Sequence, residues 1–121
     1  MHHKKEYHKP KKTQMKPTIN KELLDELVAF RKMLHANPEV SGKEFKTAKS
    51  VAEFLKTCTP TKVVENIGGT GIVAVFDSGK KGKSVMFRAE LDALPIQEIN
   101  TFAHISTIDG VSHKCGHDGH T

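Results

Sequence analysis

The chain has 121 residues, enough for one domain with a modest core, and a hydrophobic share of 36% with no tryptophan, which is on the low side for a globular body. Its net charge of +5 suggests an acidic partner until its placement is read: residues 1–16 hold six lysines against the single acid Glu6, and residues 17–121 hold the other 13 basic and 13 acidic side chains. A neutral body argues against a phosphate-binding face and so against a specific nucleic-acid partner.

In chain order, residues 1–18 read as a disordered basic tail, polar and nearly free of apolar side chains. His2, His3 and His8 within it offer at most stray metal binding. No apolar run of signal-peptide length follows the lysines, and nothing approaches the ~20 apolar residues needed to span a bilayer. The expectation is a cytoplasmic protein without a membrane partner. Leu23, Leu24, Leu27, Phe30 and Leu34 then recur at three- and four-residue steps, predicting a helix over 19–36 with Asn20 as its N-cap and those leucines as its core face. Asn37-Pro38 ends it. Ser41-Gly42-Lys43-Glu44 has the spacing of a capping box for a second helix, whose apolar stripe is Phe45, Ala48, Val51, Ala52 and Leu55. Thr59-Pro60 closes that helix.

The period then changes to that of strands. Thr61–Glu65 and Ile72–Phe76 are strand candidates separated by the turn Gly68-Gly69-Thr70-Gly71, which lacks the spacing of a phosphate loop. Ser78–Lys83 reads as a hairpin loop leading to a further strand over Ser84–Leu91, after which loop signals dominate. Two helices followed by a mixed sheet predict an α/β class for residues 19–121. The faces these elements offer want more partners than the chain supplies.

Two constellations can carry chemistry. The first is Ser112-His113-Lys114-Cys115-Gly116-His117-Asp118-Gly119-His120. On an extended backbone His113, Cys115 and His117 share a face, whereas a helix starting at His117 would align His117 with His120. Thiolate and imidazole suit zinc, manganese or cobalt, and Asp118 would add an oxygen to the set. The second is Arg88-Ala89-Glu90-Leu91-Asp92, where a strand would deliver Glu90 and Asp92 to its carboxyl end on one face. Asp92 could there orient a metal-bound histidine. The bland alternative is an Arg–Glu pair on a surface strand end. The other cysteine, Cys58, reads as a small hydrophobe at a helix end. A Cys58–Cys115 disulfide has little support without a secretory signal.

These residues resemble the M20 family of metal-dependent amidohydrolases and peptidases, in the branch of hippurate hydrolase and N-acyl-amino-acid amidohydrolases. Arg31–Glu39 is similar to the family's opening R-x-x-L-H-x-x-P-E, Ile67–Gly71 to its next turn, Arg88–Pro95 to RADMDALP with Glu90 in place of the first aspartate, and His113–Thr121 to H-x-CGHDGHT. The resemblance implies the N-terminal part of a two-metal catalytic domain, with Cys115 and His117 as metal ligands and Asp92 as a supporting residue. It further implies hydrolysis of the amide of an N-acyl amino acid or a small peptide-like conjugate, with two divalent ions (zinc, manganese or cobalt) in a complete enzyme that can be a homo-oligomer. The family's catalytic Glu-Glu pair, its other ligands and its lid lie downstream of these motifs. The expectation is therefore a truncated amidohydrolase with negligible activity on its own. Two other expectations stand beside it: a stand-alone metal-binding module, and a subunit whose site is completed by another chain.

Overall fold

The structure, a computed structural model, describes residues 19–121. The basic tail over 1–18 lies outside the described residues. Helix α1 spans Lys21–Ala36 and starts where the capping logic placed it, with the Asn20 side chain accepting from the Leu23 amide at 2.7 Å. It ends at Asn37, ahead of Pro38. Helix α2 spans Phe45–Thr57.

The expected Ser41–Glu44 capping box does not form. Glu44 itself precedes the first helical residue, and its carboxylate accepts instead from the Gly42 amide at 2.8 Å and the Thr70 hydroxyl at 3.0 Å. The free amides at the start of α2 are served from further back. Glu39 accepts from the Thr47 amide at 2.7 Å, the Thr47 hydroxyl at 2.9 Å and the Lys46 amide at 3.3 Å. A carboxylate at a helix N-terminus satisfies orphan donors and faces the positive end of the dipole, as a capping serine would.

Strands β1 (Lys62–Ile67) and β2 (Gly71–Val75) form an antiparallel hairpin in which Lys62, Val63 and Val64 face Val75, Ala74 and Val73. A bulge between Val64 and Ile67 shifts the register. Gly71 is required where the hairpin turns, because a Cβ there would sit 2.4 Å from the Ile67 carbonyl oxygen. Helix α2 packs on this hairpin, and Phe30 of α1 stacks on Phe54 of α2 at 4.7 Å.

Beyond β2 the structure departs from expectation. Ser84–Leu91 is not a strand of the described sheet, and Val85, Met86 and Phe87 are among its most exposed side chains, Phe87 at 93%. A strand exists only through a ladder partner, and the described residues provide none for this segment. The leucine stripe of α1 is likewise only partly covered: Leu34 is buried, whereas Leu23, Leu24 and Leu27 are exposed. Among the described residues the buried apolar side chains are Leu34, Pro38, Val51, Ala52 and Ala93, outnumbered by buried polar ones (His35, Glu44, Thr47, Glu98, Ser112, His113 and Asp118). Hydrogen bonds therefore carry much of the interior.

Those bonds stitch the irregular C-terminal half to the helices. Ala93 donates its amide to the Glu39 carbonyl at 2.8 Å, forming a parallel bridge with Val40. Leu94 and Ser112 exchange amide–carbonyl bonds at 3.0 Å each, and the Thr107 amide reaches the Ala36 carbonyl at 2.9 Å. The segment 92–94 is thus held between the α1–α2 connection and the approach to the last helix, α3 (His117–His120), which packs on α1. No described helix is long and apolar enough to cross a membrane.

Candidate metal centre

Gly116 takes a left-handed conformation (φ 85°) and turns the chain into α3. A three-residue step on a helix brings side chains to one face, and the imidazoles of His117 and His120 lie 5.7 Å apart. Across from them, the irregular segment after Arg88 presents Glu90 and Asp92, two residues apart. The two sets meet in register. His117 donates from Nδ1 to the Asp92 carboxylate at 2.7 Å and lies 3.0 Å from the Asp92 carbonyl. His120 Nδ1 lies 2.9 Å from the Glu90 carboxylate. The Thr121 hydroxyl donates to the Glu90 carbonyl at 2.8 Å and closes the end of the helix onto this segment.

Because the Asp92 carbonyl can only accept, His117 Nδ1 bears a hydrogen, which leaves Nε2 as the ring atom that could ligate a metal. A carboxylate behind a histidine is the arrangement that fixes tautomer and orientation for metal ligation. Glu90, His117 and His120 each offer one ligand atom, all within 4.8 Å of one another. This nitrogen–nitrogen–oxygen set suits a divalent first-row ion. Glu90 also pairs with Arg88 at 3.2 Å, so the surface pair weighed from sequence is present as well. The hydrogen bond from His120, with the nearby positive charges, holds the Glu90 carboxyl below its usual range against a smaller opposing effect of burial.

Of the residues singled out in the sequence, the structure joins Asp92 to His117. Cys115 is an exposed free thiol outside the compact group of three. His113 does not share its environment: it is buried, and neither ring nitrogen has a hydrogen-bond partner among the described residues. Burial is the main cause that lowers its pKa and favours the neutral ring, with Asp118 pulling the other way. Asp118 turns away from His117 and His120. Its Oδ2 accepts from Arg31 Nε at 2.9 Å and from His35 Nδ1 at 2.8 Å. The other ring nitrogen of His35 meets Glu98 at 3.0 Å. Glu98 also accepts from the Ser106 amide and Asn100, both at 2.7 Å. Nothing in the local spacing pointed to Glu98. For His35 a signal existed, since Arg31 and His35 lie one turn apart on α1 and share a face.

No family model matches the chain. It is 44% identical over 103 residues to hippurate hydrolase of Campylobacter jejuni, covering 83% of this chain and 27% of that protein. It is also 44% identical over 111 residues to N-acyl-L-amino acid amidohydrolase of Geobacillus stearothermophilus, covering 84% and 28%. Among solved structures it is similar to the Bacillus subtilis YXEP protein, described as a dinuclear metal-binding peptidase of the M20 family. The TM-score is 0.77 at 33% identity, covering 83% of this chain and 28% of that one. The chain spans about a quarter of the length of the curated relatives it matches. Identity over most of these residues and a shared fold together place this chain with the amidohydrolases and peptidases of the M20 family.

Proposed function

We propose that these residues form the metal-binding part of a cytoplasmic, metal-dependent amidohydrolase acting on N-acyl amino acids or small peptide-like conjugates. Cys115 and His117 are its metal ligands, and Asp92 seats His117. The observation that supports this reading above all is the 2.7 Å Asp92–His117 contact, which leaves Nε2 as the donor atom. Zinc, manganese or cobalt fits a thiolate–imidazole pair. Divalent-ion chemistry at such a site supplies a water nucleophile at neutral pH and a Lewis acid for the amide carbonyl, and a complete enzyme would use two ions. The chain's own residues hold the ligands in place and keep their tautomers.

A general base and further ligands come, in this proposal, from additional polypeptide, in the same or in a second chain. The exposed Val85, Met86 and Phe87 favour this completion, because a bare apolar run of this kind is characteristically covered.

Cobalt titration of the 121-residue chain tests the ligand set. A sulfur-to-cobalt charge-transfer band is expected in the near ultraviolet, lost in Cys115→Ser, and His117→Ala is expected to abolish uptake. Uptake without the band, unchanged in Cys115→Ser, would move the site to Glu90, His117 and His120. Release of free amino acid from an N-acyl amino acid is expected to be negligible for this chain alone with added Mn²⁺, Zn²⁺ or Co²⁺. Robust turnover would refute the need for additional polypeptide.

A further inference from the structure

Helix α3 has one turn and no apolar side chain, His117-Asp118-Gly119-His120. It is too short to hold itself and offers nothing for a hydrophobic seat. Besides the Thr121 bond to the Glu90 carbonyl at its end, what anchors it is a buried polar clamp. Asp118, 3% exposed, is gripped through Oδ2 by Arg31 at 2.9 Å and His35 at 2.8 Å. His35, 5% exposed, uses its second nitrogen on Glu98. Glu98 is itself immobilised by Ser106, Asn100 and Lys114. With both ring nitrogens committed, His35 has one orientation, and α1 delivers it from within a rigid helix.

Residues 118 and 120 lie on nearly opposite sides of a helix, and 117 follows from the same rotation. Turning Asp118 inward therefore turns His117 and His120 toward the strip that carries Asp92 and Glu90. We propose that His35 is a positioning residue. Seated between Asp118 and Glu98, it sets the rotation of α3 and hence the contact of His117 with Asp92. The consequence for metal affinity rests on the function proposed above, whereas the seating of His117 does not.

The test uses the 121-residue chain with ¹⁵N-labelled histidine, in which long-range proton–nitrogen spectra report which ring nitrogen of His117 bears the proton. Cobalt affinity is measured in parallel. The wild type is expected to show a single Nδ1–H form. In His35→Gln the His117 signals are expected to average between the two tautomers, and cobalt affinity to fall about 10-fold or more, the usual effect of losing support behind a ligand. Arg31→Met, at a partly exposed position, is expected to move both readouts less and in the same direction. Val51→Ala, a buried change in α2, should lower stability and leave both readouts alone.

A wild-type His117 protonated on Nε2 would overturn the proposal, as would wild-type signals in both His35→Gln and Arg31→Met. Should His35→Gln fail to fold, Arg31→Met decides. A tautomer change in a chain that takes up no cobalt would sustain the positioning role and refute the metal reading.

Discussion

Removing the Asp92 carboxylate should weaken metal binding without abolishing it, and the geometry sets the size of the effect. The carboxylate accepts from His117 Nδ1 at 2.7 Å. A hydrogen bond to a charged acceptor is worth about 1.5–3 kcal/mol and a neutral one about 0.5–1.5 kcal/mol. In Asp92→Ala the Asp92 backbone carbonyl remains 3.0 Å from the same nitrogen, so the ring keeps an acceptor and its tautomer. The net loss is then about 1–1.5 kcal/mol, or roughly 10-fold in affinity, the lower end of the ~10–100-fold seen when support behind a ligand is removed. Asp92→Asn keeps an oxygen in place and loses only the charge, so its loss is expected to be a few-fold. Competition of the chain against a chromophoric chelator for Co²⁺, at fixed pH and salt, gives these affinities, and a urea midpoint for each variant separates binding from folding. Wild-type affinity in Asp92→Ala would refute the orienting role. Loss as complete as in His117→Ala would make Asp92 a ligand in its own right.

Three further outcomes are expected. Burial pushes the Glu98 carboxyl up, but the Ser106 amide, His35 and Asn100 outweigh it and hold it at about 2 instead of 4.5. The folded carboxyl thus binds a proton less readily than the unfolded one, and its contribution is complete above pH 4.5 and is lost as pH falls toward 2. Urea midpoints should drop across that window, and Glu98→Gln should flatten this part of the profile; an unchanged slope would contradict the hydrogen-bond account. Glu39→Ala, which frees the Lys46 and Thr47 amides, is expected to cost about 1–2 kcal/mol in urea unfolding, on the scale of a lost helix cap. A neutral result would mean that water replaces the carboxylate without loss. Phe87→Ser should change stability by less than about 0.5 kcal/mol because the ring is 93% exposed. Destabilisation would show that the ring is covered in solution.

Local rules carried far where the cause was local. Both long helices follow from leucine and alanine spacing, Asn20 caps α1 as its side chain dictates, and the glycines at 68–71 turn a hairpin. The three-residue step from His117 to His120 aligned two imidazoles once a helix began there. The contact of Asp92 with His117 joins residues 25 positions apart, a distance along the chain that no local spacing spans.

The same rules failed where burial depends on what lies opposite. Ser84–Leu91 has the composition of a strand, but a ladder needs a second backbone and the described residues offer none. The α1 leucines have the spacing of a core face, yet three of them are exposed for want of cover. The cap of α2 came from Glu39 and not from Ser41, since the helix begins at Phe45 and leaves free the amides of Lys46 and Thr47, which the Glu39 carboxylate reaches. Spacing along the chain determined helices, turns and the stock of ligand side chains, because those depend on neighbours within a few residues. Which of these side chains face one another was decided by contacts across 25 to 87 residues, such as Arg31 with Asp118, where a side chain's direction follows from packing and charge and leaves no mark in local periodicity.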